Sequence, residues 1–306
     1  MMIGILGGVG PAAGILLHQT ILQQTESNGV DQGHLNVCHF SRSADIASRV
    51  DFLQAYTKQQ DANANANATP TATSSESSSD SSDDEEIKAK LISVDVNNPA
   101  DGMARTFEML RKLDTPVVAG VPCVTFHVKP IWNEFMRLID DGRSIQSSNS
   151  ATAKDQGVRC LNMLDETARL IAQIAPRSQK IGVMSTVGTR DARVFHDLLE
   201  PLGYEIVEVS AQTQLELQDT IQNPRWGIKS SAPAIQPRCV SNFQGYARQL
   251  VQDGAELIIL GCTEIPFAFI GATSFEGVPL LDPLVALARA LIREVDPLRL
   301  KPLPVS

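Results

Sequence analysis

The stretch LIILGCTEIPF, residues 257–267, decides how this chain is read, because VVAGVPCVTFH at residues 117–127 echoes it. In both, a run of branched apolar residues suited to a buried strand reaches a Gly or Pro, then a cysteine, then a short polar cluster. A single such ending is an ordinary strand terminus, whereas two of them suggest thiols presented from matching places. In open α/β sheets ligands sit outside the carboxyl ends of the strands, which puts Cys123 and Cys262 where chemistry is usually done. A second echo stands upstream of each cysteine: IGILGGVG at 3–10 resembles IGVMSTVG at 181–188. The halves read as diverged copies of one unit.

Strands are expected at 3–6, 35–40, 117–121, 181–184, 204–209 and 257–260, with helices between them at about 11–25, 103–110, 130–139, 161–171 and 243–251. Alternation of this kind implies α/β architecture with two similar doubly wound parallel sheets related by a pseudo-two-fold axis. The expected division is a first domain of residues 1–140 together with about 280–306, a linker at 141–157, and a second domain at 158–279. The last helix, near 284–294, is expected to pack back on the first domain.

A chain of 306 residues with 43% apolar content is long enough for two hydrophobic cores. The net charge of −9 comes mostly from residues 59–87, which hold seven acidic side chains and no Lys or Arg; without them the rest carries about −2. That near-neutral body has no basic field for nucleic acid. Segment 59–86, rich in Ala, Asn, Ser and Asp, has almost no apolar bulk to offset the entropy of ordering, and reads as a disordered insertion in a surface loop. No apolar run approaches the ~18 residues of a membrane span. The N-terminus lacks the basic flank of a signal peptide. Five scattered cysteines without CxxC spacing argue for free thiols in a reducing compartment, the cytoplasm by default, and against a metal site.

At GGVGP, the glycines permit a tight turn and Pro11 suits the first turn of a helix whose N-terminus favours an anion such as a carboxylate. Gly8 is therefore a candidate for substrate contact; a strand-to-helix turn without a ligand accounts for the same residues. The pattern is not GxGxxG, and no acidic residue ends a second strand about 20 positions on, so a dinucleotide is a poor fit. Arg49 lies beside the apolar helix face of Ile46, Val50 and Leu53, where a solvated surface charge is as ready an explanation as a substrate clamp.

Taken together, these motifs resemble the aspartate/glutamate racemase family. GILGGVGP resembles that family's GILGGMGP, PCVTFH its PCNTAH, and LGCTEIPF its GCTEIPL; MSTVGT resembles its hydroxyl-rich turn, NMLDETARL the helix opening its second domain, and SRSADIASRVDFL the segment with a substrate-binding arginine. The resemblance implies a cofactor-independent racemase, acting on aspartate or glutamate from a cleft between the domains. Cys123 and Cys262 would be its two bases, one taking the α-proton as thiolate while the other returns one as thiol. It further implies substrate contacts from Arg49, Thr125, Thr186, Thr189 and Thr263, and Glu264 in CTE favours the aspartate branch over the glutamate branch, which resembles CTH. Family members are commonly dimeric, so a homodimer is expected, with a small amino acid or dicarboxylate as partner and neither nucleic acid nor membrane.

Three positions depart from the family: Val124 stands for its Asn, Phe126 for its Ala and Val9 for its Met. Loss of the Asn amide removes a group that would orient substrate, which motivates two alternatives: an isomerase of the maleate isomerase or hydantoin racemase type, and a non-catalytic amino-acid-binding protein on the same scaffold.

Overall fold

Strand β1 (Met2–Gly7), buried along all but its first residue, lies between β2 (Val37–Ser41) and β3 (Val117–Gly120) and is parallel to both in the computed structural model. β4 (Arg159–Leu161) joins β3, giving a four-stranded parallel sheet in the order β2-β1-β3-β4. The second sheet repeats the pattern. β5 (Lys180–Met184) is flanked by β6 (Glu205–Glu208) and β7 (Leu257–Leu260), all parallel. β8 (Ser274–Phe275) and β9 (Val278–Leu281) form an antiparallel pair whose second strand extends β7, for an order β6-β5-β7-β9-β8. β1 and β5 thus hold equivalent central places, and β3 and β7, which the two cysteine motifs follow, are equivalent neighbours. The structure describes residues 1–67, 96–147, 157–232 and 234–303.

All four residues of β7 are buried, Leu257 and Ile259 in one core and Ile258 and Leu260 in the other. A strand turns alternate side chains to opposite faces, so a sheet covered on both sides needs the continuous apolar run that the sequence shows here. The helices supply the cover: α1 (Pro11–Gln24), α2 (Arg49–Asn67), α3 (Pro99–Arg111), α4 (Lys129–Ser147), α5 (Met163–Ile174), α6 (Val187–Asp191), α7 (Val194–Leu199), α8 (Ala211–Gln222), α9 (Ile228–Ser231), α10 (Pro237–Gln252) and α11 (Pro283–Val295). Among the described residues no helix is long and apolar enough to cross a membrane.

α11 follows the second sheet yet packs on α1, β1 and β3 of the first half as well as on α5, so the chain's end returns to its beginning as expected. It is started by Asp282, whose carboxylate accepts from the Leu284 N–H at 2.8 Å, and by Pro283. The fit to the first sheet is tight at Gly120, where an added Cβ would lie 2.8 Å from Leu287 Cδ1. Gly120→Ala is therefore expected to lower unfolding free energy by about 1–3 kcal/mol through overpacking. Gly188→Ala, with open space around it, serves as control, and urea denaturation reads both.

Three boundaries differ from the sequence expectation. α2 runs to Asn67, so residues 59–67 of the supposed disordered insertion are helical; Ala, Gln, Asn and Asp propagate a helix already nucleated upstream, and no Pro intervenes before Pro70. The remainder of the segment expected to be disordered lies outside the described residues. α4 likewise continues to Ser147, through Gly142 and into the stretch assigned as linker, at a cost for that glycine of about 1 kcal/mol. β4, at 159–161, belongs to the first sheet, although the sequence boundary put it in the second unit. A three-residue strand carries no periodicity of its own, and its sheet is chosen by long-range pairing.

Candidate functional site

Both cysteines stand just beyond the carboxyl ends of equivalent strands, and both are buried: Cys123 is 8% exposed and Cys262 7%. After β3 the chain turns at Val121-Pro122, with the Cys123 N–H donating to the Val121 carbonyl at 2.9 Å, and enters a 3-10 turn at Val124–His127. After β7 the ladder continues one step further, the Gly261 N–H donating to the Met184 carbonyl at 2.7 Å. A Cβ at Gly261 would come within 2.9 Å of that same carbonyl oxygen and of the Phe195 ring, so a glycine before Cys262 is a packing requirement.

Glu264 organises the second thiol. Its Oε2 accepts from Cys262 Sγ at 3.1 Å and from Thr263 Oγ1 at 3.0 Å, and Lys229 Nζ stands 4.0 Å from the same oxygen. Its other oxygen, Oε1, lies 3.7 Å from where a Cβ on Gly10 would be, which brings the GGVGP turn of the first half against the CTE motif of the second. Burial, and next the Glu264 carboxylate, push the Cys262 thiol well above its ordinary range, while the Lys229 ammonium opposes them. Cys262 is thus held as a thiol, hydrogen-bonded to the Glu264 carboxylate.

Lys229 ties the two halves together. Its ammonium pKa is raised most by Cys262 when that residue is ionised, against burial, and further by Glu264 and by an ionised Cys123, with Arg49 working the other way. Lys229 Nζ and Cys262 Sγ thus share the same oxygen of Glu264, at 4.0 and 3.1 Å. The lysine side chain keeps 37% of its surface exposed, as a group that receives a ligand should. It sits in the four-residue helix α9, between a Trp and a run of serines, where nothing in periodicity or motif spacing marks it. Sequence reasoning missed it.

Arg49 is the first residue of α2. A cation there opposes the helix macrodipole, so helix stability does not account for it. Thr125 and Thr189 meet across the halves with oxygens 3.1 Å apart, and Thr189 also contacts the Thr186 hydroxyl at 3.0 Å. Thr186 caps α6 by accepting from the Thr189 N–H at 3.3 Å. The three hydroxyls thus satisfy one another at the junction. Gly8 has φ +102°, and a Cβ there would strike the backbone of Arg42 at 2.9 Å; the turn itself requires a glycine.

The departures from the family pattern fall in the core. Val124 is 3% exposed and packs with the first half's apolar residues; Phe126 is fully buried and meets Phe135 edge-on at 5.5 Å. His127 is 4% exposed, its Nδ1 is 2.8 Å from the Cys123 carbonyl, and its ring stacks on Trp132 at 4.6 Å. Burial lowers its pKa to about 4, against the hydrogen bond to Cys123, so it is neutral at pH 7. Because the unfolded chain protonates near 6.5 and the folded one near 4, stability is full above pH 6.5 and falls as the pH drops through that window, by up to roughly 3 kcal/mol. His127→Gln is expected to show a shallower fall in urea midpoint between pH 6.5 and 4 than the parent protein. Among the described residues no group of three His, Cys, Asp or Glu side chains is placed to hold a metal ion.

The two α/β units match in the order of their parallel strands, and each carries a buried cysteine just past the end of the equivalent strand. The sequence pattern of the Asp/Glu/Hydantoin racemase family matches residues 153–291. The glutamate racemase of Ectopseudomonas mendocina is 33% identical over 125 residues, 40% of this chain and 44% of that protein; the matched stretch is thus under half the length of this curated relative. Over nearly the whole chain the fold is similar to that of the aspartate racemase of Picrophilus torridus, with TM-score 0.63 and 17% identity, covering 96% of this chain and 94% of the other. An aspartate racemase homologue from Pyrococcus horikoshii gives TM-score 0.55 and 16% identity, covering 96% and 98%. By sequence, residues 153–291 are similar to the Asp/Glu/Hydantoin racemase family; over nearly the whole chain the likeness is one of fold.

Proposed function

We propose that this protein is a cofactor-independent amino-acid racemase, with Cys123 and Cys262 as the two bases and aspartate or glutamate as substrate. The observation that carries this reading is geometric: both cysteines are buried just past the carboxyl ends of equivalent strands, and the Glu264 carboxylate bonded to Cys262 faces the Gly10 turn of the first half. Inverting an α-carbon needs a base on one face and an acid on the other. Cys262, kept protonated by burial and by Glu264, starts as the acid, which leaves Cys123 to take the α-proton. Each turnover leaves Cys123 as thiol and Cys262 as thiolate, which is the pair the reverse reaction starts from.

Lys229, 4.0 Å from Glu264, with Arg49 as a second cation would suit a substrate with two carboxylates, and Glu264 would take its ammonium. Thr125, Thr189 and Thr263 offer hydroxyls at the junction, Thr186 supports them as a cap, and Gly8 shapes the turn beside them. The two-domain division with the active site in the intervening cleft, and a homodimeric state, belong to the same reading. The experiment is direct: purified protein is incubated with L-aspartate and L-glutamate separately, and the D-isomer is measured by chiral chromatography. Formation of D-product from one of them supports the proposal; no D-product from either rejects the substrate assignment.

A further inference from the structure

The stretch MSTVGT, residues 184–189, runs from the surroundings of one thiol to those of the other. At its start the Met184 carbonyl accepts from the Gly261 N–H at 2.7 Å, one residue before Cys262, and a Cβ added at Gly261 would lie 3.1 Å from Ser185 Cβ. At its end the Thr189 hydroxyl meets Thr125, two residues past Cys123, at 3.1 Å. A shift of this turn therefore moves the setting of one thiol against that of the other.

Two glutamines of α8 grip the middle of the turn. Gln214 and Gln218 are four residues apart and so share a helix face. Gln214 Nε2 donates to the Ser185 carbonyl at 2.9 Å, and its Oε1 accepts from Arg190 Nη1 at 3.3 Å. Gln218 Oε1 accepts from the Val187 N–H at 2.9 Å. Gln214 is 5% exposed, and Leu217 and Ile221, both fully buried, seat the same helix in the second core. The two amides thus tie the turn to an element that packing already holds in place. Burying a long polar side chain costs rotamer freedom and desolvation, which these backbone contacts offset.

We propose that Gln214 and Gln218 are positioning residues, which set the separation of Cys123 and Cys262 through the turn they hold. They act at a remove, through Thr189 on one side and the Met184 carbonyl on the other. For its kinetic consequence the inference rests on the two-thiol racemase reading. Misplaced thiols still remove the α-proton but deliver one poorly to the opposite face, so inversion falls more than exchange.

Gln218→Met is expected to lower kcat for inversion by about 10–100-fold, with KM changed less, the range for reacting groups displaced by about 1 Å. In heavy water the recovered L-substrate should gain deuterium, as it does not with the parent protein. Gln218→Glu keeps the acceptor for the Val187 N–H and should restore most of the loss, whereas Gln214→Glu loses the donor and should behave as Gln214→Met does. Gln212→Met, exposed on the same helix, is the control, and urea denaturation shows which variants are folded. Alkylation of Cys123 and Cys262 by iodoacetamide, followed by peptide mass spectrometry, reads the clamp without turnover. It is expected to run about tenfold faster in Gln214→Met and Gln218→Met and at the parent rate in Gln218→Glu. That pattern in a protein making no D-product would keep the clamp and reject the racemase reading. Parent-like alkylation in both Met variants, or equal effects of Gln218→Met and Gln218→Glu, would overturn the proposal.

Discussion

Cys123→Ala and Cys262→Ala are each expected to lower racemisation by roughly 10²–10⁴-fold, the usual contribution of a positioned acid or base. The two losses should differ in kind. With one thiol gone, the remaining one still reaches one face of the substrate, so it exchanges the α-hydrogen of one enantiomer with solvent without inverting it. Cys123→Ala and Cys262→Ala should therefore retain residual exchange for opposite enantiomers. Proton NMR in heavy water, run on each enantiomer with each variant, reads this. Equal residual exchange of both enantiomers by both variants would mean that the thiols do not divide the faces between them. Burial of both sulfurs, at 8% and 7% exposure, keeps competing solvent bases away from the stereocentre and makes the contrast measurable.

Lys229→Met is expected to lower kcat/KM by about 10–100-fold, the range for losing a hydrogen bond to a charged group. The same substitution has a second consequence at the thiol. With the ammonium removed, burial and Glu264 both push Cys262 the same way, and its thiolate becomes harder to form. Alkylation of Cys262 by iodoacetamide in a Cys123→Ala background should then need a higher pH than in the parent, while Glu264→Gln should shift it to lower pH. Lys229→Arg keeps the charge and is expected to recover part of the activity. An unchanged alkylation profile in Lys229→Met would separate the lysine from the thiol and leave it a surface residue.

Much of this was legible in the chain. The cysteine echoes located β3 and β7 because a strand covered on both faces must be apolar at every position, and such runs are conspicuous between glycines and prolines. The pairing of the GILGGVGP and IGVMSTVG motifs with central strands followed from the same logic. Lys229 was not legible, since a charge becomes part of a site only when distant segments fold around it, and α9 is too short to show a face. Nor was the notch between Leu287 and Gly120, which is a contact across 167 positions of sequence. The helical reach of α2 past residue 59 was obscured by composition: polar residues that cannot build a core can still extend a helix begun by others. His127 was visible as a kept motif residue, but the enclosure of its ring against Trp132 is a property of packing alone.

The central claim is that two sulfurs serve opposite faces of one stereocentre, and the order in which deuterium arrives tests it most directly. L-aspartate, or L-glutamate if that is the substrate, is placed with the enzyme in heavy water and the two enantiomers are separated at low conversion. Two bases predict deuterium in the D-product while the recovered L-substrate still carries protium. Deuterium entering the recovered L-substrate as fast as the product would show a single base reaching both faces, and would contradict the account.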